Sequence, residues 1–398
     1  MFSRRSITAL LLIVMMIAAG CSAHRNDVPV NEAAGTIAGL TTAVTADNKA
    51  QYDYTGKAME YLERIGTEYR NRMLDGSGED NRHDAAQEWI ISELKAAGYT
   101  DDQIVREEFS ADWLGTGHNI ILTVEGEDPS GQIIAGAHLD GDGVGDNGSG
   151  TALLLANAVS MHDIKPHYTI KYIFFDGEED GCLGSEYNAG RMTDEEISRT
   201  IYMINLDCLA FGDYCNIYGG SYGDEGIPVD DSQLRAPTAT EAYDYATDTA
   251  ENLGFGVWRT ADLDGYYAKN GTGPEIEEGT FYTNPWTPDN PAPSNNSAMS
   301  PSTLPASDHI GYMDRGIEYI YFEATNWFAE SENDEADAMS YTGYIETYDH
   351  SIGEYGMFMN TEYDTWENLN KYFPGRAESH FHLYSPLLSA LLLAEPEE

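Results

Sequence analysis

One histidine and five carboxylates fall in this chain where their chemistry can add up. Gly136-Ala137-His138-Leu139-Asp140 is followed by Gly145-Asp146-Asn147-Gly148, then by Asp176-Gly177-Glu178-Glu179-Asp180, then by Asn205-Leu206-Asp207. Imidazole with carboxylate is a donor set that suits zinc, and a shared carboxylate can hold two ions about 3.5–4 Å apart. Glu178 and Glu179 are adjacent, so their side chains point differently. One can hold metal while the other takes a proton from an attacking water and returns it to a leaving amine. Taken singly, each residue has a structural alternative: Asp146 can cap a helix and Asp207 a turn.

The elements that must position these residues are legible. Ile133–Ala137 is an apolar run that reads as a buried strand ending at His138. Thr169–Phe175 ends at Asp176, Ile201–Leu206 ends at Asp207, and Asp146 precedes a helix over 149–159. Ligand-type side chains at the carboxyl ends of strands occupy the usual site of an open α/β sheet. Further strands are expected at Ile104–Phe109, His118–Val124, Asn216–Gly219 and Glu318–Phe322, and helices over 54–72, 84–97, 184–192, 238–253 and 377–393. Pro386 is a candidate kink in the last helix. The alternation predicts an α/β fold, with a mixed, mostly parallel central sheet and helices on both faces. A single catalytic domain is expected over 51–398, with 257–305, rich in Gly, Pro, Asn and Tyr, as an irregular lid or insert.

Residues 1–20 read as a signal peptide: Arg4 and Arg5 precede an apolar stretch from Ile7 to Ala18. Ala18-Ala19-Gly20-Cys21 resembles a bacterial lipoprotein processing site, which implies lipidation of Cys21, a flexible tether over 21–50, and an extracytoplasmic protein held to the membrane only through that anchor. Asp and Glu number 68 against 21 Lys and Arg, a formal net charge of −47. Such a surface repels nucleic acid and anionic headgroups, so no nucleic-acid partner is expected. Cys182, Cys208 and Cys215 allow one disulfide without indicating its pairing, and Cys208 can equally be a buried thiol. Oligomeric state is not readable.

Together with Ser307-Asp308-His309, these motifs resemble the M28 family of zinc metallopeptidases, in the family's order and over residues 55–395. The resemblance implies that His138 and Asp207 bind one Zn2+, Asp146 bridges to a second, Glu179 binds the second, and Glu178 is the general base. Asp140 resembles the acid that orients the first histidine, and Ser307, Asp308 and His309 a substrate-pocket segment. The family's last ligand is a His directly before a Thr…Asp-Thr segment. Here Met359-Asn360-Thr361-Glu362-Tyr363-Asp364-Thr365 puts Asn360 at that place, so the second zinc is expected to be weak, replaced by a harder ion, or absent. His350 is a candidate substitute, whereas His380 and His382 read as surface. The expected function is a zinc aminopeptidase acting on peptides. Two alternatives are a one-zinc enzyme similar to glutaminyl cyclases and a degenerate homologue that binds metal or peptide without turnover.

Overall fold

The apolar run before His138 forms the middle of strand β4 (Asp128–His138), which is flanked by β5 (Tyr168–Phe175) and β6 (Thr200–Leu206), both parallel to it. Its residues alternate between two cores. Ile133, Ala135 and Ala137 join the larger cluster on one face, and Ile134 joins Ile121, Ile173, Phe175 and Met203 on the other. A strand covered on both faces must be apolar at successive positions, which is why it reads as an unbroken run. The computed structural model describes residues 37–77, 80–220, 240–259, 262–263, 266, 269–270, 273–283, 307–326, 347, 349, 351–353, 356–359 and 361–397.

Nine strands form the main sheet, in the order β2-β3-β5-β4-β6-β10-β7-β9-β8. Here β2 is Ile104–Ser110, β3 Thr116–Val124, β7 Tyr214–Gly220, β8 Gly256–Trp258, β9 Thr280–Tyr282 and β10 Tyr319–Thr325. The centre β5-β4-β6-β10 is parallel, and β2, β3 and β7 introduce antiparallel pairings. The expected mixed, mostly parallel sheet is present.

Helices α1 (Thr55–Glu68), α2 (His83–Ala97) and α3 (Gly150–Ser160) pack with the larger core. Every residue of α3 from Gly150 to Ala158 is buried, as an all-round apolar helix requires. On the other face lies α4 (Leu183–Arg191), followed by the short α5 (Asp194–Arg199), which opens with a Thr193–Glu196 capping box. Then come α6 (Glu241–Asn252), α7 (Ile310–Met313), α8 (Trp366–Tyr372) and α9 (Arg376–Leu392). Pro386 sits inside one continuous α9. Among the described residues no helix is long and apolar enough to cross a membrane.

Two expectations need correction. The tether drawn over 21–50 is docked in its described part. Leu40–Thr42 (β1) pairs antiparallel with Ala394–Pro396 (β11), and Ile37 and Val44 are buried in the main core. Backbone pairing and apolar burial hold the segment despite its small, polar composition. The irregular insert drawn over 257–305 contributes the parallel edge strands β8 and β9, with Phe281 buried beside Tyr384. These strands are too short to show a period. Residues 284–306, the signal segment and Cys21 lie outside the described residues, as do Asn360 and His350.

His380, expected at the surface, is buried and its Nδ1 donates to the Leu209 carbonyl at 2.8 Å, whereas His382 is exposed and faces Asp53. Burial lowers the His380 pKa from 6.5 to about 4. Between those values the unfolded chain binds a proton that the folded chain refuses, so stability falls as pH drops from 6.5 toward 4 and is unaffected above. Urea unfolding of wild type and His380→Asn at pH 7 and pH 4.5 should show the wild type losing on the order of 2 kcal/mol more than the variant on acidification. Parallel losses would assign the acid sensitivity elsewhere.

Candidate metal centre

Strand register builds the first half of the site. Gly136 on β4 pairs with Asn205 on β6. Continuing that parallel register by one pleat sets His138 opposite Asp207, on the same face of the sheet and at the carboxyl ends of both strands. His138 Nε2 lies 3.3 Å from Asp207 Oδ1. Thr151 Oγ1 donates to the His138 carbonyl at 2.6 Å, tying α3 to the end of β4.

The second half comes from the loop between β4 and α3. Asp364 reaches in from the far end of the chain. Its carboxylate accepts the N–H groups of Val144 (2.7 Å), Gly145 (2.6 Å) and Asp146 (2.9 Å). Gly143 is required there, because a Cβ would come 2.2 Å from Asp364 Oδ2. Asn147, joined to Asp146 by a cis peptide, donates from Nδ2 to the Leu206 carbonyl at 2.8 Å and accepts from Gly150 N–H at 2.8 Å. The start of α3 is thereby fastened to the end of β6. These braces bring Asp146 Oδ1 to 3.1 Å from His138 Nε2.

His138, Asp146 and Asp207 each offer a ligand atom, all within 4.8 Å of one another. All three residues are buried. The structure brings together the trio expected to hold the first ion and its bridge. Glu178 stands beside them, its Oε2 3.8 Å from His138 Nε2 and its side chain 14% exposed. Among the described residues Glu179 does not join the converging ligand atoms. Asn360 lies outside the described residues.

Electrostatics show what the centre lacks. Burial drives the Glu178 carboxyl well above the usual range. His138 opposes this, while Asp207, Asp308 and Asp146 add to it. Glu179 and Asp146 are pushed up as well, first by burial and then by neighbouring carboxylates. His138 is raised well above 6.5 because Asp207, Glu178, Asp140 and Asp146 outweigh its burial. Several buried acids facing one imidazole repel each other unless a cation sits among them. The donor set and the excess negative charge fit a divalent metal ion.

Asp140 lies 3.6 Å from His138 Nδ1 and accepts the N–H groups of Glu178 (3.1 Å) and Glu179 (3.2 Å). His138 and those N–H groups hold its pKa below the usual value despite burial. It links the histidine to the Glu178 turn. Ser307 and His309, expected in a substrate-pocket segment, are buried. Ser307 Oγ donates to Asp207 Oδ2 at 2.7 Å, and His309 stacks on Tyr319 with ring centroids 4.3 Å apart. Asp308 is buried with neither carboxylate oxygen in a hydrogen bond of good geometry, although the Ser185 hydroxyl is near enough to favour its charged form; burial, the larger effect, raises its pKa to about 7.

Residues 119–257 match Peptidase family M28. The matched segment contains His138, Asp146, Glu178, Glu179 and Asp207. Leupeptin-inactivating enzyme 1 of Streptomyces exfoliatus is 32% identical over 131 residues, 31% of this chain and 29% of that protein. An aminopeptidase of Pseudomonas aeruginosa is 28% identical over 32% of this chain and 24% of its own. The chain thus spans less than a third of the length of these relatives. Among solved structures, the LapA aminopeptidase of Legionella pneumophila superposes with a TM-score of 0.52 at 14% identity, covering 94% of this chain and 80% of that one. A glutaminyl cyclase from an Acidobacteriales bacterium gives 0.50 at 15% identity, covering 93% and 99%. These likenesses are of fold. The Ser307-Asp308-His309 segment lies outside the M28 match, yet packs against the same strand end.

Sequence reading leaves several residues of the centre without a role. The Asp176 carboxylate accepts from His83 Nε2 (2.8 Å), Gln87 Nε2 (3.1 Å) and His118 N–H (2.8 Å), bracing the strand end that leads to Glu178. Cys182 Sγ approaches Glu178 Oε1 at 3.5 Å, and Cys182, Cys208 and Cys215 are buried. Asp364 carries no local signal beyond its place in the Thr361–Thr365 segment. Its removal is testable: Asp364→Ala strands three buried N–H groups, and the metal-free protein should lose at least about 3 kcal/mol in urea unfolding. An unchanged midpoint would remove Asp364 from the brace.

Proposed function

We propose that this chain is a zinc-dependent metallopeptidase that removes N-terminal residues from peptides. The observation that carries the reading is the convergence of His138, Asp146 and Asp207 beside a largely buried Glu178. The similarity to aminopeptidases supports the reaction class. His138 through Nε2, Asp146 and Asp207 would hold the ion, which supplies Lewis-acid chemistry by polarising a substrate carbonyl.

The protein's own groups do the rest. Glu178, its Oε2 3.8 Å from His138 Nε2 and beside the ion's ligands, takes the proton of the attacking water and returns it to the leaving amine. Asp140 holds the Glu178 turn through two N–H groups. Ser307 fixes the far oxygen of Asp207, leaving the near one for the ion. Asp308, buried with open acceptor sites, takes an N–H of the substrate's amino terminus.

A second reading, a one-zinc cyclase acting on N-terminal glutamine, draws support from the fold likeness and from the single ligand trio among the described residues. The deciding experiment measures zinc content and turnover on aminoacyl chromogenic substrates and on Gln-initiated peptides. Glu178→Gln should lower kcat by about 10²–10⁴-fold with zinc still bound, and Asp308→Asn should raise KM more than it lowers kcat. Cyclisation without hydrolysis would favour the second reading. No turnover of either kind would make the chain a binding homologue.

We also propose that the protein works outside the cytoplasmic membrane on a lipid anchor at Cys21, supported by the residues before that cysteine. Mass spectrometry of the membrane-bound protein should find a lipidated Cys21 at the mature N-terminus. A released protein cleaved elsewhere would overturn this.

A further inference from the structure

The loop that separates the two ligands His138 and Asp146 runs from Leu139 to Gly145 and contains three glycines: Gly141, Gly143 and Gly145. Glycine-rich backbone has much freedom to lose, yet this loop holds its flanking ligands 3.1 Å apart. Asp364 fastens its last part. In the first part, Leu139 N–H donates to the Phe175 carbonyl at 2.7 Å and Asp140 accepts the Glu178 and Glu179 N–H groups, while the loop's alternate carbonyls end on one residue from elsewhere in the chain. Arg72 follows α1 and is 1% exposed. Its backbone N–H donates to the Gly141 carbonyl at 2.7 Å. Its guanidinium donates from Nε to the Leu139 carbonyl at 2.8 Å and from Nη2 to the Gly143 carbonyl at 3.0 Å. Alternate carbonyls 139, 141 and 143 thus end on Arg72. Behind it, Nη1 donates to the carbonyls of Tyr69 (2.9 Å) and Arg70 (2.7 Å), which locks the fork in place.

None of these bonds goes to a carboxylate. Burial lowers the guanidinium's pKa, and the acids around it, Asp140, Asp364, Asp142 and Glu179, work against that and favour its charged form. A guanidinium bonded only to neutral carbonyls keeps its full charge available to a crowded acidic site. The same group therefore fixes the loop's path and offsets the repulsion that would spread the ligands.

We propose that Arg72 is a positioning residue for metal binding, clamping the carbonyls of Leu139, Gly141 and Gly143 so that His138 and Asp146 are held at chelating separation before the ion arrives. The inference rests on the metal-centre reading above. Lysine cannot reproduce the planar fork, and glutamine lacks both fork and charge.

The test uses the whole chain and reads zinc affinity by chelator competition, with the zinc-induced rise in Tm as a second measure. Arg72→Gln should weaken zinc binding by about 10–100-fold, with Arg72→Lys intermediate. Arg315 is the control, since its guanidinium also ends on carbonyls, those of Ala189, Gly190 and Met192, away from the ligand loop. Arg315→Lys should lower Tm and leave zinc affinity unchanged. If Arg72→Gln does not fold, Arg72→Lys carries the comparison. Wild-type affinity in both Arg72 variants, or an equal loss in Arg315→Lys, would overturn the proposal while leaving the metal reading intact. A wild type that binds no zinc would overturn both.

Discussion

Buried like charge around His138 is the constraint on which the rest of this structure depends. Asp146, Asp207 and Glu178 each place an oxygen within 3.8 Å of one imidazole nitrogen. Carboxylates so close, and so poorly solvated, push each other apart at a cost of several kcal/mol unless something opposes them. An ion supplies the countercharge, and it binds most tightly where its ligands already converge. The protein must hold a repulsive arrangement in advance, and much of the surrounding hydrogen bonding serves that end.

Each ligand is held through a separate mechanical route. His138 and Asp207 are fixed by the β4–β6 register, the stiffest element available, because both strands are buried on two faces. Asp146 depends on a loop and so needs outside help, which Asp364 gives through three N–H groups and Asn147 through the end of β6. Glu178 follows a strand end braced by Asp176 and is tied by its own N–H to Asp140. The residue asked to move protons is thus held by its backbone, while its carboxyl group faces the Cys182 thiol on one oxygen and His138 on the other.

This division also explains what could be read from sequence. Buried parallel strands appear as apolar runs, so β5 and β6 lie within one residue of expectation, and the acids at their ends are found by following the chain. β10 runs to Thr325 rather than Phe322 because Glu323 and Thr325 pair with Asn216 and Tyr214 of β7, a tertiary cause that overrides a charged residue's poor strand propensity. Asp364 and Arg72 are different again. They act across 218 and 67 residues of sequence, on Asp146 and Leu139. No periodicity marks them, because a single side chain entering from a loop has no period. The same holds for Ser307, whose hydroxyl supports Asp207 from 100 residues away.

The two prospective ion positions therefore differ in kind. The trio at His138 draws on the register of central strands and on braces that all lie among the described residues. Glu179 sits on the turn beyond it, with Oε1 about 3.0 Å from where a Gly141 side chain would begin. The sequence resemblance would give a second ion Asn360, which lies outside the described residues and whose amide oxygen is a weaker donor than imidazole. Rigidity and donor strength thus point the same way. The strand-built position is the one the fold prepares before any ion binds, and chemistry that needs only one ion is within reach of this scaffold whether or not the second position fills.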